Sequence, residues 1–380
     1  MLVTGNSADE GGGPASRNGT VQIIDSTFSG NFSFHGGAVA VGSGELSIQN
    51  SIFENNAAVF RGGALYVAAT KVRIEHTLFT ENRVLSGFNF DGGGAIDARA
   101  GSGSVFELIH STVVGNSVAG LVGQSGAGSA GGGVRLWVEG ANAQALIADS
   151  IFQHNSLQTP GGSQHGGGGV AVFVYSGSAT LARNQITDNS STTIGGGVFA
   201  FGYHNVNVQI EDCVIAENHA NRGGGGYLSG NVTLSRSVVR GNSSDQGGGL
   251  WLSAPSNLYR SFVISSLIDD NTSRQGGGIF QDGNTEIHGS TISRNSADFG
   301  GGIYYFSGLV ANISHSTITL NQSTDAGNGL FLRGNTLRLN HTIVAGNVGV
   351  PAGDVTAQPG RTIQARYSLI GHNESTGLSE

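Results

Sequence analysis

The stretch Ser290-Thr291-Ile292-Ser293-Arg294-Asn295, followed four residues later by Gly300-Gly301-Gly302-Ile303-Tyr304-Tyr305-Phe306, decides the fold. An apolar residue sits three positions before an asparagine, a short variable loop follows, and a glycine run opens an alternating apolar segment. The same phrase recurs around Asn6, Asn31, Asn56, Asn82, Asn116, Asn155, Asn189, Asn218, Asn242, Asn271, Asn295, Asn321, Asn347 and Asn373, at separations of 24 to 39 residues. A period of this size means stacked coils, none of which can bury its apolar face alone. About 25 residues is too short for a strand-helix-strand unit and suits three short strands joined by turns, stacked at the ~4.8 Å spacing of neighbouring strands. No segment carries a sustained helical period, and period-two alternation follows each glycine run. The expectation is an all-β chain forming one right-handed parallel β-helix over residues 1–380, a single-stranded solenoid of about fourteen coils, with its hand set by the usual chirality of parallel crossovers.

Each repeated position then has a physical task. Phe28, Phe53, Phe79, Phe152, Ile186, Ile215, Ile268, Ile292 and Ile318 face inward and stack along the axis. The asparagines end the strand, where their tolerance of left-handed backbone angles and their amides suit a stacked structural ladder. Ser26, Ser51, Ser111, Ser150, Ser237, Ser266, Ser290 and Ser316 fill a second small-residue slot. Cys213, the single cysteine, takes that slot in its own coil, so it reads as a packed ladder member rather than a reactive thiol.

Composition narrows the function classes. With 26 acidic and 18 basic residues and Lys71 as the sole lysine, no basic stripe is available to neutralise phosphates, which argues against nucleic acid and anionic membranes. No apolar run approaches the roughly 20 residues of a membrane span. Glycine is 65 of the 380 residues but lacks the every-third period of collagen. The run Gly300-Gly301-Gly302 lacks the Gly-Lys-Ser/Thr ending of a phosphate loop. No cofactor is implied. Met1 leads directly into the first phrase with no signal peptide, and Asn373 lies close to Glu380. Because solenoids need capped ends, the expectation is a piece of a larger protein, or ends covered by missing segments or another chain.

Phe28-Ser29-Gly30-Asn31 with Gly36-Gly37-Ala38-Val39, and Phe53-Glu54-Asn55-Asn56 with Gly62-Gly63-Ala64-Leu65, resemble the paired repeats of chlamydial polymorphic outer-membrane proteins. Later coils, with Gly-Gly-Gly and Ile or Val in place of Phe, are more similar to bacterial right-handed β-helix repeats of large secreted, surface-anchored proteins. His341-Thr342-Ile343-Val344-Ala345-Gly346-Asn347 with Tyr367-Ser368-Leu369-Ile370-Gly371 resembles the C-terminal signature of that group. The resemblance implies an extracellular or bacterial cell-surface setting and an adhesive or glycan-contacting role, and carries no catalytic residues. The pectate-lyase-like proteins share the fold, so fold likeness alone does not choose between binding and catalysis.

Alternation after the glycine runs places Phe199, Tyr227, Trp251, Phe280, Tyr304 and Phe331 at one outward position in six consecutive coils, with Trp137, Phe173, Phe201 and Phe306 two residues further on. They are expected to draw a solvent-exposed aromatic stripe suited to a polysaccharide or surface glycan, or to a partner protein. Toward the N-terminus the same face turns charged, with Asp97, Arg99, Arg135 and Glu139, and with Arg61 and Asp91 beside the glycine turns. An enzyme of the polysaccharide lyase or glycoside hydrolase kind would place its acid, base and charge-neutralising groups there, Asp97 with Glu139 being the best carboxylate pair. The competing reading is an ordinary cross-strand ion pair between Asp97 and Arg135, which sit at equivalent positions one coil apart. His76, His110 and Asp149 imitate a metal site, but the alternating charges of Asp149, Arg183, Asp212 and Arg236 favour a solvated ladder. The long inserts of the third to fifth coils, including 120–133, would wall a cleft or be tolerated surface loops. The leading expectation is a surface-displayed binding or adhesion module. The runner-up is the polysaccharide-degrading enzyme, and a passive stalk is the third.

Overall fold

The computed structural model describes residues 1–85, 92–119, 130–159, 165–307, 309–350 and 353–372. They are all strand, turn and bend, forming a parallel β-solenoid of about 13 turns. Fourteen phrases enclose thirteen intervals, and the last phrase, at Asn373, lies outside the described residues. The chain divides into two compact units, Met1–Val208 and Gln209–Glu380, each a parallel solenoid.

In the first unit one ladder of three-residue strands runs Thr27–Ser29, Ile52–Glu54, Leu78–Thr80, Thr112–Val114, Ile151–Gln153 and Gln185–Thr187. Its central residues pair Phe28 with Phe53, Phe79, Val113, Phe152 and Ile186 in turn. The second unit repeats the ladder from Val214–Ala216, aligning Ile215, Val239, Ile268, Ile292, Ile318, Val344 and Ile370. From Phe28 to Val344 all of these central side chains are fully buried, as the alternation requires. Phe28 stacks on Phe53 at 4.8 Å and Phe53 on Phe79 at 4.9 Å, the spacing of the strands that carry them.

Most coils contain two strands, not one, between the glycine corner and the serine slot. Leu65–Val67 is followed by Lys71–Glu75, and Ile96–Ala100 by Val105–Ile109. In two coils the pair merges into one long strand, Val134–Ala148 and Val170–Ala182. Ala57–Arg61 and its neighbours, on the other side of the glycines, close the coil.

Three corners turn the chain. The residue immediately before each ladder asparagine, not the asparagine itself, takes the left-handed backbone: Asn55, Glu81, His154, Asp188, Glu217, Asp270, Arg294 and Leu320 all have φ between 54° and 58°. The same holds before the serine slot, at Asp25, Asn50, His76, His110, Asp149, Arg183, Asp212 and Arg236. A left-handed residue bends the strand, and the next side chain turns inward. The asparagine is thereby free to use its whole amide. The Asn56 Nδ2 donates to Asn82 Oδ1 at 2.9 Å and to the Phe28 carbonyl at 3.0 Å, and its backbone N–H donates to Asn82 Oδ1 at 3.0 Å. Each serine accepts a backbone N–H from the preceding coil and donates to the carbonyl two residues back, as Ser51 does to Gln49. Cys213 occupies this slot as expected, buried, with its Sγ 3.3 Å from the Glu211 carbonyl oxygen.

The third corner requires glycine. Gly62 has φ +61°, and a Cβ there would lie 2.1 Å from the Leu65 carbonyl oxygen, while at Gly63 it would lie 2.0 Å from that of Gly94 in the next coil.

Candidate functional site

The second unit carries the longest run of the aromatic row. Tyr227, Trp251, Phe280, Tyr304 and Phe331 are register partners on successive strands. Their rings stack at 5.7, 4.1, 5.1 and 5.2 Å, with interplanar angles of 10° to 27°. The expected exposure is overturned here. Trp251, Phe280, Tyr304 and Phe331 are buried and Tyr227 is half-buried. Parallel strands impose a spacing close to the thickness of an aromatic ring, so each ring consumes its neighbour's face. Phe299 and Ala326, on the strands across the glycine corner, pack against the column, and the Arg222 guanidinium lies 5.1 Å over Trp251. Phe306 alone remains exposed, at 42%, and Arg333 stacks on it at 4.9 Å. This column stabilises the sheet and offers a ligand little ring surface.

The first unit is different. Phe173 is buried between Trp137, at 4.5 Å and 12°, and Phe199, itself buried, at 5.0 Å and 41°. Two residues beyond Phe173 stands Tyr175, and two beyond Phe201 stands Tyr203; neither was singled out by the sequence reading. Both are exposed, at 38% and 39%. Tyr175 packs against Trp137 at 5.5 Å, Phe201 at 5.6 Å and Tyr203 at 6.4 Å, and Tyr203 touches His204 at 4.2 Å. Tilts of 40° to 53° between Tyr175 and the rings of Tyr203 and Phe201 mean that these rings are not stacked face to face. Burial, with the Glu139 carboxylate close by, raises the Tyr175 hydroxyl above its usual pKa. The signal that could have found the platform is the continued alternation through Phe173-Val174-Tyr175 and Phe201-Gly202-Tyr203. The strand Val170–Ala182 runs past the point where the regular coil bends, and Tyr203 directly follows the strand Val198–Gly202.

The charged cluster resolves into distinct parts. Asp97 and Arg135 are register partners, both wholly buried, and the guanidinium holds the carboxylate through two N–H donors, Nε to Oδ1 at 3.2 Å and Nη2 to Oδ2. The ion-pair reading therefore holds. A carboxylate enclosed in this way has no surface to present to a glycosidic oxygen. Glu139, four residues along the strand from Arg135, is exposed, so the proposed carboxylate pair is not assembled. Arg61 and Arg99 are half-buried and make no ion pair among the described residues; the Nε of each is buried without a hydrogen-bond partner. Asp91 lies outside the described residues, as does the insert 120–129.

His76 and His110 stack at 5.1 Å, but Asp149 gives both its oxygens to Arg183 at 2.8 Å, which holds its carboxyl below the usual range. No cluster of three metal-ligating side chains exists among the described residues. In the second unit Asp212 pairs with Arg236 in the same manner, at 2.9 Å, extending the charge ladder that the alternating signs suggested. A polar groove of about 480 Å³ also lies on that unit, lined by Glu286, Asn312, Ser314, Arg338, Gln364 and Arg366 among others.

In the first unit four side-chain nitrogens on successive coils, His35 Nδ1, Arg61 Nε, Arg99 Nε and Trp137 Nε1, are buried without hydrogen-bond partners. An unsatisfied buried polar group costs roughly 1–3 kcal/mol, so each of them calls for a partner, and the one on Trp137 belongs to the platform itself. Compared with known protein families, curated proteins and solved structures, the chain finds no match in any of the three.

Proposed function

We propose that this solenoid is a carbohydrate-binding module of a surface-displayed bacterial protein, engaging an extended glycan through the ring platform of its first unit. The observation that carries the reading is the open arrangement of Trp137, Tyr175, Phe201 and Tyr203, in which two tyrosines keep more than a third of their surface in solvent. Flat ring faces suit the CH-rich faces of sugars, and partly exposed tyrosine supplies a hydroxyl beside each face. Trp251, Phe280, Tyr304 and Phe331 are no longer part of the contact surface, because their faces are spent on one another. The cell-surface setting and the adhesive role rest on the resemblance of the Phe-x-x-Asn and Gly-Gly-Ala phrases. With Asp97 locked by Arg135, the lyase or hydrolase alternative loses its carboxylate pair and is the weaker reading.

The test is retention in gels containing neutral and acidic insoluble or soluble polysaccharides, run with the full chain and with Tyr175→Ala and Tyr203→Ala. Each variant is expected to bind about tenfold more weakly, about 1.4 kcal/mol, with an unchanged strand-type circular dichroism spectrum. Equal retention by all three proteins on every polymer of the panel would sink the reading.

A further inference from the structure

We infer that the glycan held by this platform is acidic, its carboxylate or sulfate being bound by Arg61 and Arg99. The inference rests on the platform reading and adds a charge requirement to it. Arg99 is the register partner of Trp137, so its guanidinium rises from the adjacent strand beside the ring that begins the platform. Asp97 stands two residues before Arg99 on the same face and opposite Tyr66 of the preceding coil. The Tyr66 ring lies 5.7 Å from that of His35, and His35 is the register partner of Arg61. His35, Arg61 and Asp97 are thus close neighbours, and Arg99 and Trp137 lie two residues further along the strands that carry Asp97 and Arg135.

Among the described residues its charge is unbalanced. The guanidiniums of Arg61, Arg99 and Arg135 face two carboxylates, the buried Asp97, which Arg135 already satisfies, and the exposed Glu139, which lies near Tyr175. Glu10 also faces His35, but it is exposed and lies 3.8 Å from Arg17. The imidazole of His35 responds to this field. Burial first, and then the charge of Arg61, hold it below its ordinary pKa, outweighing Asp97 and Glu10. Several other arginines meet carboxylates: Arg73 meets Glu75 and Glu107, Arg183 meets Asp149, and Arg260 meets Glu286. Arg61 and Arg99 make no ion pair among the described residues, and theirs are the arginine nitrogens left buried without a partner.

The orphaned atoms say what would fit. Arg61 Nε, Arg99 Nε and Trp137 Nε1 can only donate, so the missing partner is an acceptor, and the surplus of positive charge makes it an anion. A guanidinium fork matches the planar oxygens of a carboxylate and the oxygen face of a sulfate equally well. The neighbouring rings require that the anion be carried on something with a flat apolar face. An acidic sugar residue meets both conditions.

Polygalacturonate and alginate supply carboxylates, dextran sulfate supplies sulfates, dextran is the neutral reference, and polyglutamate supplies carboxylates without sugar rings. Affinity of the full chain is measured by calorimetry at low and high salt, beside Arg61→Gln, Arg99→Gln, the charge-preserving Arg99→Lys, and Tyr175→Ala. Thermal melts establish that each variant is folded. We expect tighter binding to an acidic polysaccharide than to dextran, and a loss of at least tenfold in that preference for either glutamine variant. Arg99→Lys should retain part of it, and salt should erode it. Whichever of the carboxylated and sulfated polymers binds more tightly identifies the anion. Preference unchanged in both glutamine variants, with Tyr175→Ala still weakening binding, overturns the acidic assignment and leaves the platform standing. Preference lost in the arginine variants with Tyr175→Ala at full strength overturns the platform and leaves the anion site. Polyglutamate bound as tightly as the acidic polysaccharides would make the ligand an acidic peptide and defeat the proposal, as would no binding to any polymer.

Discussion

At the scale of single residues, the molecule spends its polar groups in two ways. Where the repeat dictates the neighbour, the side-chain donors find acceptors, at Asn56 in the coils on either side and at Ser51 two residues back in its own coil. Where it does not, groups are stranded. Asp282 in the second unit is half-buried and has no ion-pair or hydrogen-bond partner among the described residues, and burial alone raises its carboxyl above the usual range. The Tyr305 hydroxyl nearby, also orphaned, is pushed up to about 12 by burial and by the Asp282 charge. A raised carboxyl pKa penalises the fold once the group ionises. Below the unfolded-state value both states are protonated and the penalty is absent; it grows as pH rises and is complete above the folded-state value. Asp282→Asn is therefore expected to raise the melting temperature at pH 7, with the gain vanishing at about pH 3, below the ordinary carboxyl pKa. A gain that persists at low pH would mean that the amide acts by packing, not by removing charge.

At the scale of elements, the two aromatic groups have parted company although the same alternation produced both. In the second unit the rings stand in one row beside the glycine corner, stacked nearly parallel and covered by Phe299 and Ala326. In the first unit Tyr175 rides on a strand that extends beyond the regular bend, Val170–Ala182, Tyr203 directly follows Val198–Gly202, and both reach solvent there. The consequence is a division of labour that mutations separate. Phe280→Ala should cost about 3–5 kcal/mol, as expected for emptying a buried aromatic site between two stacked neighbours. Tyr175→Ala should cost well under half of that, because its ring is already partly solvated. Denaturant melts of both variants provide the comparison, and similar losses would mean that the platform is structural as well.

At the scale of the whole molecule, a solenoid is held by contacts between successive coils, so a residue's energetic weight depends on how many coils it joins. Asn271 is fully buried and bonded to coils on both sides: its Oδ1 accepts from Asn242, and its Nδ2 donates to Asn295 and to the Val239 carbonyl. Asn6 is exposed and bonds in one direction, to Asn31. Asn271→Ala should cost about 1–3 kcal/mol and Asn6→Ala distinctly less. At Asn347 the ladder passes to another residue type. The Asp354 Oδ1 takes the place of the next asparagine, accepting from Asn347 N and Nδ2 at 2.8 and 2.7 Å, while its Oδ2 accepts the His372 N–H at 2.8 Å. Asp354→Asn keeps one acceptor and should be tolerated, whereas Asp354→Ala removes the acceptor of the Asn347 backbone N–H and of one Nδ2 hydrogen, leaving only the bonds to Ile318 and Asn321, and should melt earlier. Equal melting of the two variants would show that the carboxylate does not terminate the ladder.

What the sequence by itself determined is everything that repeats. In a parallel solenoid each position meets its own equivalent one coil away, so a local phrase states a long-range contact. The inward row from Phe28 to Val344, the asparagine and serine ladders, the Cys213 slot and the Asp97–Arg135 pair were all legible for that reason. The tertiary structure alone decided what happens across a corner or beyond a bend. That the left-handed angle falls one residue before each asparagine, that Phe299 and Ala326 cover the second unit's rings, that Tyr175 and Tyr203 stay exposed, and that Arg61 and Arg99 find no carboxylate among the described residues are matters of side-chain neighbours on different strands of the coil. Alternation tells inside from outside along one strand. It carries no information about what a neighbouring strand lays over the outside, and burial there depends on ring spacing, tilt and the bulk across the turn.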